Sequence, residues 1–246
     1  MKYKLTDNTI KYKGRKLYRI QRLSDGLLGG YVESEKNLSQ KNRCFIYNTS
    51  KVYGNARVFG NAEVYDTAEV FGNARVCDSV GIAGSANVYG SAEVYDSAEV
   101  YGYAEVFGNA VISNDANVYG NTEVYGNTKV YDNTEVYDNA EVYGNAEVGG
   151  YAEVFDNIEL YFQAKVFGHI KLFGNLYINY SPISIEGFRH TITCLQDRAI
   201  IGCQSRTYEQ WFKEGKLIGK MHGYLSDEIE HILSMLRVCK KIHKDN

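Results

Sequence analysis

Val136-Tyr137-Asp138-Asn139-Ala140-Glu141-Val142-Tyr143-Gly144-Asn145-Ala146-Glu147-Val148 repeats one six-residue phrase twice. The phrase runs from about Ile46 to Ile178. Counted from Ile46 in steps of six, all 23 positions carry Val, Ile or Leu, with no residue inserted or lost. A period of six is the signature of a parallel β-helix. Energetics require it to be long. Ordering six residues costs roughly 6–12 kcal/mol of backbone entropy, at about 1–2 per residue. One buried Val returns only about 1.5–3 kcal/mol. Stacked coils make up the difference by sharing hydrogen bonds and a continuous core.

The residue types select a particular β-helix. The stretch is similar to the LpxA-like hexapeptide proteins, whose solenoid is left-handed and three-sided, with three hexads to a coil. That resemblance implies an inward aliphatic and, two places earlier, a small inward residue near the corner. Here the small position is Ala in 14 of the 22 hexads from residue 50 to 176. Gly or Asp followed by Asn fits the corner, since such residues tolerate left-handed backbone angles. Three hexads per coil give about 7–8 coils and, at a strand spacing of about 4.8 Å, a prism about 35–40 Å long.

Three segments follow. Residues 1–43 read as a β-hairpin-rich N-terminal cap. Thr9 to Tyr12 and Arg15 to Leu23 pair around Lys13-Gly14. Asp25-Gly26 and Gly29-Gly30 mark turns, and Tyr31-Val32 is a further short strand. Residues 44–180 are the β-helix. Pro182, the only proline, ends the ladder because it cannot donate to one. Residues 181–246 read as an α+β C-terminal cap, with short strands over 183–203 and a helix from Thr207 to Lys216. A second, amphipathic helix starts near Ser226 and carries the stripe Ile229, Ile232, Leu233 and Leu236. That stripe is expected to pack on the solenoid end, hiding an open β-edge.

Leu28-Gly29-Gly30-Tyr31-Val32-Glu33, then Asn37-Leu38-Ser39-Gln40 and Ile46-Tyr47, resembles the head of a bacterial, phage-associated family of hexapeptide-repeat proteins. In that family a short β-rich head leads straight into the repeats. The resemblance implies the architecture and a phage or prophage setting.

Charge is uneven. Residues 1–43 hold 11 Lys/Arg against 4 Asp/Glu, whereas residues 44–180 hold 6 against 18. An acidic prism repels phosphates, so direct nucleic-acid binding is not expected. The five cysteines form no CxxC pair, which fits free thiols and a cytoplasmic location. No apolar run is long enough to span a bilayer.

Residues 18 apart share a face. The first face carries an unbroken aromatic column, Tyr53, Phe71, Tyr89, Phe107, Tyr125, Tyr143 and Tyr161, beside an acidic column that includes Glu105, Glu123, Glu141 and Glu159. The second face has aromatic residues only every other coil and a mixed charge, leaving gaps beside its rings. The two first-face columns are the candidate binding surface. A non-enzymatic solenoid would present them to a protein partner or to a second copy of the chain, needing no cofactor. Threonines 122, 128 and 134 replace Ala in one coil and read as a packing variation. Two alternatives remain open. One is an acyltransferase of the hexapeptide class with His169 as its base, although no loop beside that corner encloses a substrate. The other is an acidic decoy that mimics nucleic acid and occupies a host factor. The histidines offer no three-ligand spacing for zinc.

Overall fold

The computed structural model describes residues 1–244. Its body is a three-sided parallel β-solenoid of about eight turns. Each hexad supplies a two-residue strand such as Glu141–Val142, which pairs in parallel with strands 18 residues away on either side. The first face runs from Lys51–Val52 to Asn175–Ile178, the second from Arg57–Val58 to Lys165–Val166, and the third from Phe45–Ile46 to Lys171–Leu172. The aliphatics of the repeat and the alanines two places before them are buried. Together they form one continuous core.

The corners explain the Gly/Asp alternation. Gly126 has φ +81°, and a Cβ there would lie 2.7 Å from the Gly144 carbonyl oxygen of the next coil. Asp132 also takes a positive φ of 60°. Its carboxylate accepts from the Gly150 backbone N–H at 3.0 Å, a hydrogen bond between coils that a glycine could not make. Thr122, Thr128 and Thr134 are fully buried. Each donates to the carbonyl three residues earlier, at 2.6, 2.6 and 2.7 Å, so the layer is satisfied locally.

The coils begin earlier than the strict hexads do. Strand β1 (Tyr3–Tyr12) and strand β2 (Arg15–Arg22) form a hairpin turning at Lys13-Gly14, both at positive φ, as a two-residue primed turn requires. Strand β3 (Leu28–Val32) pairs antiparallel with β2 and parallel with Lys51–Val52. Leu38 then bridges Val58 on the second face, and Phe45–Ile46 opens the third. Val32, Leu38 and Ile46 thus make a first coil. Eight residues rather than six separate Leu38 from Ile46, so a fixed period of six misses it. Gly29 and Gly30 accordingly lie inside a strand, not in a turn. A Cβ on either would come within 2.4 Å of a backbone oxygen, that of Ile46 or Ser50, so both are glycine for close approach.

After Pro182 a separate antiparallel sheet follows, with strands Ile183–Ile185, Ile192–Cys194, Arg198–Ile201 and Gln204–Thr207. Strand alternation gives this sheet two apolar sides. Leu195 and Ile200 join the solenoid core, while Ile192, Cys194, Ala199 and Ile201 join a second core with the helices. Helix α1 (Tyr208–Met221) starts at a capping box between Thr207 and Gln210 and runs one turn beyond the expected Lys216. Helix α2 (Ser226–Lys244) buries Ile229, Ile232, Leu233 and Leu236. Its stripe therefore covers α1 and the antiparallel sheet, and the sheet itself plugs the solenoid end.

Candidate functional site

The first-face aromatic column is continuous. From Tyr53 through Phe71, Tyr89, Phe107, Tyr125 and Tyr143 to Tyr161, successive rings stack within 10° of parallel. Their centroids are 4.8–5.3 Å apart, the rise of one coil. Each ring covers its neighbour's face and offers solvent mainly an edge, so from Phe71 onward the rings are half-buried. Such pairs contribute roughly 0.5–1.5 kcal/mol each beyond area burial.

The acidic column is wired to the rings. Tyr89 donates to Glu105 at 3.0 Å and Tyr143 to Glu159 at 3.2 Å, each reaching to the next coil. Burial, and then these carboxylates, push both phenols up to about 12. Glu105, Glu123, Glu141 and Glu159 sit directly opposite one another on paired strands. Burial raises the Glu141 carboxyl above its ordinary value, and the charges of Glu123 and Glu159 raise it further.

At the N-terminal end the same surface is occupied. The hairpin lays its tip on the first rungs. Lys13 Nζ donates to Glu69 at 2.9 Å and to the Tyr53 hydroxyl at 3.2 Å. It also lies 5.1 Å from the centre of the Phe71 ring, within cation–π range. Tyr12 donates to Glu69 and meets Tyr53 edge-on at 6.1 Å. Lys51 lies 3.7 Å from Glu69. Burial alone would push the Glu69 carboxyl up, but the hydrogen bonds from Tyr12, Lys13 and Tyr53 outweigh it and hold the group below its ordinary value.

Two expectations change here. Tyr53 belongs to the column but not to an open surface: it is only 4% exposed, because the hairpin covers it. The basic head, for which the sequence leaves open a solvated hairpin face or a surface for an acidic partner, meets its acidic partner within the chain, at Glu69. The hairpin reading puts Lys13 at a turn, but no periodic signal in the sequence says which rung that turn will meet.

The third face repeats part of this pattern, with Tyr101, Tyr119, Tyr137, Phe155 and Phe173 stacked and Tyr119 donating to Glu135 at 3.0 Å, whereas the second face differs. On the second face Arg75 pairs with Glu93 at 3.3 Å and Lys165 with Glu147 at 3.5 Å, so charge is neutralised between coils. Its expected gaps are partly closed. Ser113 is buried, and Tyr131 and Phe167 approach to 6.1 Å, tilted at 47°, across the side-chain-free Gly149.

His169 also has more around it than its corner position suggests. The C-terminal sheet walls a cleft of about 280 Å³ beside it, lined in part by Tyr151, Glu153, Lys171, Arg189 and His190. The expectation that nothing encloses this corner is corrected: the wall comes from a segment folded back from beyond the repeat.

Among the described residues no three His, Cys, Asp or Glu side chains converge as a metal-binding group. No helix is long and apolar enough to cross a membrane. No protein-family model and no curated protein matches the chain.

Proposed function

We propose that the protein is a non-enzymatic binding solenoid whose first face holds a lysine-bearing segment of a protein partner. The observation that carries this reading is the chain's own hairpin: Lys13 and Tyr12 show how a cation and a phenol satisfy a Glu of this column against stacked rings. Four further glutamates, Glu105, Glu123, Glu141 and Glu159, continue the column beyond the reach of that hairpin. A partner's lysines placed there would relieve the repulsion that raises Glu141. The resemblance of the Leu28–Val32 head to phage-associated proteins supports a phage or prophage setting. The free cysteines fit a cytoplasmic location.

The test uses a synthetic peptide with the sequence of residues 9–17, which carries the Tyr12-Lys13 pair. Expected is saturable, salt-weakened binding that Glu123→Gln with Glu141→Gln reduces about tenfold, the loss of two charge-assisted contacts of modest strength. Binding that ignores both substitutions would overturn the reading. A second reading, acyl transfer with His169 as base, gains support from the cleft beside that residue. Acyl-donor turnover lost in His169→Ala would establish it.

A further inference from the structure

The cleft at the C-terminal end lies on a different surface from the first-face columns and has a different chemistry. Tyr151 and His169 stack at 4.7 Å and 6°, forming a two-ring platform at the corner that follows the second face. Eighteen residues beyond His169 stands Gly187, past the last solenoid strand, and a Cβ there would meet nothing within 4 Å. Among the described residues no third ring stacks on His169; the group that reaches this corner is the Glu186 carboxylate, which accepts from the His169 backbone N–H at 3.5 Å.

The wall opposite is rich in donors. Arg189 spends one N–H on the His222 carbonyl at 3.2 Å and lies 4.8 Å from the centre of the Tyr224 ring, which fixes its direction and leaves the rest of its fork open. The His190 ring rests on Gly202, where a Cβ would lie only 3.3 Å from it. Neither the His169 nor the His190 imidazole has a hydrogen-bonding partner among the described residues. Lys171 pairs with Glu153 at 2.5 Å, so the cleft's carboxylate is already neutralised. An adjoining lobe of about 390 Å³ shares Lys171 and His190 and adds the apolar faces of Phe155 and Phe173. Each lobe is close to the lower end of the size range of small-molecule sites.

We propose that this cleft binds a small planar molecule bearing an anionic group, a carboxylate or a phosphate. The ring extends the Tyr151–His169 stack. The anion takes the open donors of Arg189 and His190, charge-assisted contacts of the stronger kind. Recognition needs both halves, since the donors alone are open to solvent and the platform alone is only two rings.

Calorimetric or ligand-detected NMR titration of the full chain with four probes tests this: benzoate, phenyl phosphate, inorganic phosphate and benzyl alcohol. Expected is saturable binding of at least one ringed anion, at least about tenfold tighter than inorganic phosphate or the neutral ring. His169→Ala and Arg189→Gln should each weaken it about tenfold while the chain stays folded, with only a small shift of the thermal unfolding midpoint, and His169→Phe should retain more affinity than His169→Ala. Preference between benzoate and phenyl phosphate identifies the anion. Failure of both ringed anions to bind, equal binding of benzyl alcohol or inorganic phosphate, or indifference to both His169→Ala and Arg189→Gln would overturn the proposal.

Discussion

Glu69 and Glu141 occupy the same column of the first face, four coils apart, and meet opposite surroundings. Glu69 is buried beneath the hairpin and bonded to Lys13, Tyr12 and Tyr53. Glu141 faces Glu123 and Glu159, with no cation on the strands beside it. The same position in a repeat is therefore stabilising where a lysine reaches it and strained where none does. The hairpin does for the first rungs what the remaining rungs leave undone, and this contrast is the physical basis of the proposed binding face.

The contrast can be broken at its occupied end. Gly30→Val drives a side chain into the Ser50 carbonyl region, where even a Cβ would lie at 2.4 Å. Overpacking of this kind costs about 1–3 kcal/mol or more. The expected outcome is a head that detaches before the solenoid unfolds, read as early protease cleavage near β3 and exposure of Tyr53. Lys13→Ala leaves Glu69 with its phenols and Lys51 but without its closest cation. A loss of about 1–2 kcal/mol in denaturant unfolding is expected, shrinking in Glu69→Gln, where no charge is stranded.

Acid titration separates the two ends by sign. The Glu69 carboxyl lies below its unfolded value, near 4.3 for a free glutamate. Its contribution is present above that pH and is lost as pH falls through the lower folded value. Glu141 is raised, so its folded form takes up a proton first, and lowering pH through its folded value removes a repulsion. Stability measured from pH 7 downward should therefore gain slightly above about pH 4.3 and decline below it. Glu141→Gln should abolish the gain and Glu69→Gln should reduce the decline. The smallest effect is expected from Glu141→Gln at neutral pH, a stabilisation of roughly 0.2–1 kcal/mol that added salt diminishes. A destabilisation instead would mean that Glu141 makes a contact worth more than the repulsion it carries.

Much of the fold was legible because its signal is local. Each Val or Ile of the hexad, each Ala before it and each Gly or Asp at the corner acts within its own turn of backbone. A register of six with no insertion propagates that local choice along the prism. The first coil was hidden because two extra residues between Leu38 and Ile46 break the period without breaking the stack. The candidate columns were equally legible, from Phe71 to Tyr161 and from Glu105 to Glu159. Once the 18-residue coil is accepted, column membership is arithmetic.

By itself the sequence determined the repeat, the inward residues and the composition of each face, all consequences of periodicity along a single chain. Tertiary structure alone decided which rungs are covered and which corner is enclosed. Lys13 meets Glu69 across 56 residues, and Arg189 and His190 face Tyr151 and His169 from a segment folded back beyond Pro182. Those contacts depend on where a non-repeating segment docks. Packing between distant surfaces sets that position, and a six-residue period carries no information about it.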